Sequence, residues 1–229
     1  MPDVEVYLTR TSDIYDKVTV KAIKANEARG DLFISIHCNS SDGVRHSEVV
    51  GYKTARVKKG RKWVTKRIPE YRYWNSPSAA KGTETFIWKV EKNFQKADAL
   101  REFESAAPDS TMAAEYKKFD DPEQVAMISL KMSQYTDRSL NLATTVQSEF
   151  TKVGRISRET KQRPVGIWVL QAVAMPAVLI ELGFISNPEE EDYMNSKTGQ
   201  DELSQCIARA VKQYKNNIEA KMNLNNGGK

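Results

Sequence analysis

At 229 residues, 40% hydrophobic and 28% charged, the chain is long enough to bury a core in one domain, and nothing in it marks a second. Its longest apolar runs are far short of a membrane span, its N-terminus lacks the charged-then-apolar pattern of a secretion signal, and two cysteines make no disulfide framework. The formal charge of +5 is accompanied by no recognised nucleic-acid motif.

In chain order, Val4, Val6 and Leu8 alternate as in a half-buried strand. A helix should follow, capped near Thr11 or Ser12, with Val18, Ala22, Ala25 and Ala28 at helical spacing before Gly30 ends it. Asp31 to Ser40 contains an apolar strand that runs out at His37. Cys38 follows it directly; strand neighbours point to opposite faces, so Cys38 is excluded as a partner of His37 on one metal, and both Cys38 and Cys206 read as small buried residues. Residues 42–81 form a basic insertion: from Arg45 to Lys81 there are eleven Lys or Arg against Glu48 and Glu70, interleaved with Trp63, Tyr71, Tyr73 and Trp74, as in a twisted hairpin projecting from the body. Because the whole chain is only +5, the remainder is net acidic.

Gly82 to Lys89 reads as a strand. Residues 93–138 are polar and weakly periodic and are expected to hold several short helices. Leu140, Ala143, Val146, Phe150 and Val153 form a helical stripe stopped by Gly154, and Ile167 to Leu170 reads as a short strand. Ala177 to Phe184 is a strand covered on both faces, with Glu181 as its single carboxylate; a charge there must be paired, metal-bound, raised in pKa or opened to a cleft. Asn187-Pro188-Glu189-Glu190-Glu191 starts a helix, Leu203, Ile207, Val211, Tyr214 and Ile218 make a final amphipathic one, and 223–229 is expected to be a disordered tail. Strands alternating with helices predict a single α/β domain over residues 1–222, its mostly parallel sheet covered by helices on both faces. Such sheets bind ligands outside the carboxyl ends of their strands, so His37 and Glu181 can meet at one site, and that pairing points to metal-assisted hydrolysis.

The run Leu8-Thr9-Arg10-Thr11-x-Asp13, then Ala25-Asn26, Asp31 to Ser40, Gly82-Thr83-Glu84-Thr85 and the Glu181 strand resembles the zinc-dependent N-acetylmuramoyl-L-alanine amidases, in motif order as well as content. The resemblance covers residues 3 to about 220. It implies hydrolysis of the amide between N-acetylmuramic acid and L-alanine in peptidoglycan, for cell-wall remodelling or cell separation, in the periplasm or cell envelope. It implies Zn2+ as cofactor, His37 as a metal ligand and Glu181 as the catalytic acid–base group, with peptidoglycan, an activator protein and no nucleic acid as partners. The family's other ligands lie in a Gly-His-Gly-Gly motif and a glutamate just after it, and neither is in this chain. The expectation is therefore an N-terminally truncated catalytic domain lacking its first strand, with half a zinc site and an open strand edge. His46, Glu84 and Glu27 are not expected to replace the ligands. Asn39 is expected to orient His37 or the next loop, Arg10 to anchor a loop or carboxylate, and 93–138 to correspond to a regulatory helical insertion covering the zinc. The rival reading is a catalytically inactive remnant that binds peptidoglycan or a partner protein.

Overall fold

The computed structural model describes residues 3–89, 96, 122–163 and 167–226. Among the described residues the elements follow in the order α1 (Val18–Glu27), β1 (Phe33–Asn39), β2 (Arg45–Lys59), β3 (Lys62–Asn75), β4 (Thr83–Ile87), α2 (Pro122–Lys152), β5 (Ser157–Gln162), α3 (Trp168–Ala172), β6 (Ala177–Phe184), α4 (Pro188–Asn195) and α5 (Lys197–Asn226). Four strands make the central sheet, in the order β1-β6-β4-β5. β1 runs parallel to β6 and β4 parallel to β5, while β4 and β6 are antiparallel, so the sheet is mostly parallel, as the alternation of elements predicts.

Helices cover both faces because the two central strands are apolar on both. Val178 and Ile180 of β6 and Ile87 of β4 point into a core with Leu142, Val146 and Phe150 of α2 and Leu203, Cys206 and Ala210 of α5. Leu179, Phe86 and Phe33 point the other way, against Ala22 and Ala25 of α1 and Val169 and Leu170 of α3. Within the first core, the Gln147 amide is hydrogen-bonded among the hydroxyls of Thr83, Thr85 and Ser157, which ties α2 to β4 and β5. Asn26 ties the opposite layer together: its amide donates to the Ala172 carbonyl and accepts from the Ala174 N–H.

Six expectations change. Val4, Val6 and Leu8 form no strand, and Val6 and Leu8 are exposed, because alternation without a neighbouring edge to pair with cannot complete a ladder. The first helix begins at Val18 behind Lys17, with no side-chain cap, rather than near Thr11 or Ser12. Ile167 to Leu170 belongs to a helical turn, in which Leu170 and Gln171 both donate to the Ile167 carbonyl; four apolar residues fit either period. Cys38 is exposed and only Cys206 is buried, both as free thiols. Finally, residues 122–138 are the first half of one long helix rather than several short ones: Ile128 and Met132 are buried there, and the Tyr135 hydroxyl donates to the Ala174 carbonyl. The rest of the predicted regulatory segment, apart from Lys96, lies outside the described residues. At the other end, α5 continues through Asn226 where a disordered tail was expected from 223, and 227–229 lie outside the described residues. No helix among the described residues is long and apolar enough to cross a membrane.

The basic insertion is a two-stranded antiparallel hairpin, β2 with β3. Its two-residue tip is Gly60-Arg61, with Gly60 at φ +63°, the left-handed backbone a tight hairpin turn requires.

Candidate active site

One row of side chains crosses the sheet where β1 and β6 end. His37 is in register with Glu181 across the parallel β1/β6 pair, and Glu181 is in register with Glu84 across the antiparallel β6/β4 pair. Paired residues of adjacent strands project to the same face. Here it is the face whose earlier positions, Phe33, Leu179 and Phe86, pack under α1 and α3. The row lies one step beyond that apolar cover, where a polar group can look out of the sheet.

Glu84 is fully engaged. Its Oε1 accepts from Arg158 Nε at 2.7 Å and from Lys161 Nζ at 2.8 Å, and its Oε2 from Asn39 Nδ2 at 3.1 Å. Burial pushes its carboxyl up, but the hydrogen bonds from Arg158 and Lys161 outweigh it and hold it below the usual carboxylate range. A bulge delivers these cations. Thr83 pairs Ser157 but Thr85 pairs Thr160, so Arg158 and Glu159 together face Glu84, with Glu159 at φ +72° absorbing the extra residue.

Glu181 is the opposite case. Its side chain is buried, and among the described residues its Oε2 has no hydrogen-bond partner. Burial raises its pKa, the positive charge of Arg163 opposes that, and the neighbouring Glu84 carboxylate adds to it. A buried carboxylate oxygen left open costs about 1–3 kcal/mol, which a core residue would not sustain without a use. The His37 side chain is exposed on one side at the end of β1; one ring nitrogen is 3.0 Å from Ser35 Oγ, and partial desolvation by its strand neighbours, followed by the Lys21 charge, lowers its pKa.

The structure therefore brings together His37 and Glu181, as the sequence predicts, and adds Glu84, Asn39, Arg158 and Lys161. Asn39 bonds Glu84 and, through Oδ1, the Ser40 N–H, so it fixes the carboxylate and the departing loop rather than His37. Arg10 donates to the Ile14 carbonyl, anchoring its own loop. His46 stands in the hairpin, stacked on Trp74 and bonded to Ser76 Oγ, and Glu27 is exposed at the end of α1. Arg158 and Lys161 escape sequence reading because β5, Ser-Arg-Glu-Thr-Lys-Gln, has no apolar period; its pairing on β4 makes it a strand.

A catalytic zinc usually takes three protein ligands. Among the described residues, no three His, Cys, Asp or Glu side chains are grouped to hold an ion. His37 and the open oxygen of Glu181 are short of that number, and Glu84 is committed to two cations. The described residues do not by themselves fit a tightly held zinc.

Comparison with known proteins agrees with this architecture. The profile of the N-acetylmuramoyl-L-alanine amidase family matches residues 2–213. The amidase AmiC of Escherichia coli O6:H1 is 25% identical over 212 residues, covering 93% of this chain and 42% of its own length. AmiC of Neisseria meningitidis serogroup B is 26% identical over 215 residues, covering 92% of this chain and 42% of its own. The chain thus spans about two-fifths of the length of these two curated relatives. In structure it is similar to the N-acetylmuramoyl-L-alanine amidase from Clostridium difficile 630, with a TM-score of 0.55 at 24% identity, over 93% of this chain and 73% of that one. A family match that takes in β1, β6 and the row of polar side chains at their ends, on a fold shared with a solved amidase, makes this chain a member of the N-acetylmuramoyl-L-alanine amidase family.

Proposed function

We propose that this chain is the catalytic domain of a peptidoglycan amidase that hydrolyses the amide between N-acetylmuramic acid and L-alanine, in the periplasm or cell envelope, during wall remodelling or cell separation. The observation that carries the reading is the open, buried oxygen of Glu181 at a strand end of a family member. In this reading Glu181 Oε2 takes a proton from the attacking water as its oxygen bonds the lactyl carbonyl carbon. Glu181 then gives that proton to the alanine nitrogen as the carbon–nitrogen bond breaks. Its raised pKa suits a group that must both accept and return a proton near neutrality. Glu84, held ionised by Arg158 and Lys161, keeps a fixed negative charge beside it and so helps hold that pKa up.

Zinc dependence belongs to the family resemblance, with His37 as a ligand. Because the described residues supply fewer than three donors, the same proposal includes weak zinc retention by the chain as it stands, and little hydrolysis. That donor shortage also favours a second reading, a non-catalytic domain that binds peptidoglycan or a partner protein. Zinc content after a chelator wash, measured beside release of stem peptides from purified peptidoglycan with and without added zinc, separates the readings. Hydrolysis that Glu181→Gln abolishes supports the enzyme; binding without hydrolysis at any zinc concentration supports the remnant. Stoichiometric zinc surviving the wash would show that the donor set is larger than the described residues reveal.

A further inference from the structure

The β2–β3 hairpin has two chemically different faces. Opposed residues of an antiparallel pair share a face, and successive residues alternate. The pairing Lys58↔Trp63, Arg56↔Thr65, Thr54↔Arg67 and Tyr52↔Pro69 therefore defines one face. A bulge between Val49 and Gly51 adds one residue to β2, after which Val49↔Tyr71, Ser47↔Tyr73 and Arg45↔Asn75 continue that same face. It carries four exposed aromatic rings, Tyr52, Trp63, Tyr71 and Tyr73. Two guanidinium groups lie over them: Arg45 is 4.4 Å from the Tyr73 ring centroid and Arg67 is 4.3 Å from that of Tyr52. Arg56 and Lys58 complete the charge, and no acidic residue is on this face. Both acids of the hairpin, Glu48 and Glu70, fall on the opposite face, where Arg72 and Lys53 pair with them.

The hairpin also has a definite root. β2 follows the loop that leaves β1 two residues beyond His37, and β3 returns through 76–82 to the start of β4, just before Glu84. The root is pinned to the end of β6: Ser41 N–H donates to Ser186 Oγ, Ser78 N–H to the Ser186 carbonyl, and the Ser41 and Ser78 hydroxyls bond each other at 2.5 Å. An arm whose 15-residue first strand spans about 50 Å thus begins beside the row His37–Glu181–Glu84.

We propose that the aromatic–cationic face of this hairpin is a binding track for an anionic glycan, the polysaccharide strand of peptidoglycan with its carboxylate-bearing peptide stems, and that it leads the polymer to the row at the end of β6. The inference rests on the reading that peptidoglycan is the substrate. Flat aromatic rings pack on the apolar faces of pyranose rings, and guanidinium forks donate paired hydrogen bonds to carboxylates. Rings alternating with cations along one strand direction match a polymer that alternates sugar faces with anionic branches. The absence of acids from that face removes the repulsion such a polymer would otherwise meet.

The test is co-sedimentation of the full chain with purified peptidoglycan stripped of other envelope polymers, with hydrolysis followed separately. Three variants separate a track from undirected charge: Arg45→Ala/Arg56→Ala/Arg67→Ala on the proposed face, Lys59→Ala/Lys62→Ala/Lys66→Ala on the other, and Trp63→Ala, which leaves the charge unchanged. The first should weaken binding by about tenfold or more, the second by less than about twofold for the same loss of charge, and Trp63→Ala by several-fold; each tenfold corresponds to about 1.4 kcal/mol. Trp63 sits at the exposed tip, so its truncation spares the hairpin's pairing. Equal losses from the two charge variants, unchanged binding of Trp63→Ala, or tighter retention on single-stranded nucleic acid or anionic vesicles than on peptidoglycan at matched salt would each overturn the proposal. Hydrolysis that persists while binding ignores these substitutions removes the track and leaves the amidase reading standing.

Discussion

Arg155→Met should cost about 3 kcal/mol of folding stability. Arg155, just after α2, reaches the β6–α4 corner and makes a bidentate pair with Glu190, Nη1 to Oε1 at 2.9 Å and Nη2 to Oε2 at 2.8 Å, while Nη2 also donates to the Leu182 carbonyl at 3.0 Å. The two side chains are only 11% and 7% exposed. Removing one partner of a buried pair typically costs about 3–5 kcal/mol because the other charge is stranded. Glu190 would keep two backbone donors, Gly82 N–H at 3.1 Å and Phe184 N–H at 3.3 Å, which places the loss at the lower end. Glu190→Gln should cost less, about 1–2 kcal/mol, since Arg155 retains the Leu182 carbonyl, the amide oxygen and the Tyr193 ring 4.6 Å away. The double variant should then fall short of the sum of the singles by about 1–2 kcal/mol. Urea unfolding followed by far-UV circular dichroism measures all three. An Arg155→Met cost below about 1 kcal/mol, or strict additivity, would refute the reasoning, because a stranded buried charge permits neither.

Glu181→Gln should gain about 1 kcal/mol of stability at neutral pH while abolishing any turnover. The sign follows from its raised folded-state pKa: the folded chain holds a proton more tightly than the unfolded one, so stability falls as pH rises through that pKa, and the neutral amide removes the effect. A loss of stability at neutral pH would show Oε2 to be satisfied. Glu84→Gln should do the reverse: its depressed pKa contributes stability that is present at neutral pH and lost as pH falls through the folded-state value, so the variant's acid-unfolding curve should be shallower than that of the parent. Met132→Ala should cost about 2–3 kcal/mol by calorimetry, as expected of a packed residue, whereas an insertion would lose almost nothing.

The strands β1 and β6, and with them the placing of His37 beside Glu181, are legible in the sequence for the same reason. Ala177 to Glu181 is an apolar run that admits one polar residue and is buried on both faces, and Phe33 to His37 is a β-branched-rich apolar run broken only by Ser35 and His37, which leaves few other assignments. What escapes is whatever local pattern does not determine. β5 is polar along its whole length and becomes a strand only by pairing β4, so Arg158 and Lys161, which fix the charge of Glu84, are invisible before the ladder is known. Val4, Val6 and Leu8 fail in the opposite direction, with the right alternation and no edge to receive it. The short run Ile167 to Leu170 and the polar first half of α2 take their form from neighbours, α1 in one case and the approach to β6 in the other, where the Tyr135 hydroxyl donates to the Ala174 carbonyl.

β1 ends the described sheet, bonded to β6 on one side and unpaired on the other, with Ile36 54% exposed, and it is this marginal strand that carries His37. The position of one half of the row therefore depends on a single ladder, whose register already shifts between His37 and Asn39. Amides on the outer side of β1 should exchange with solvent well before those of β6, although the two strands share a sheet. Any group that grips His37 and Glu181 together would act as a rung across that ladder. Occupancy of the site and ordering of the strand then become one equilibrium, and whatever steadies the edge raises affinity at the row in equal measure.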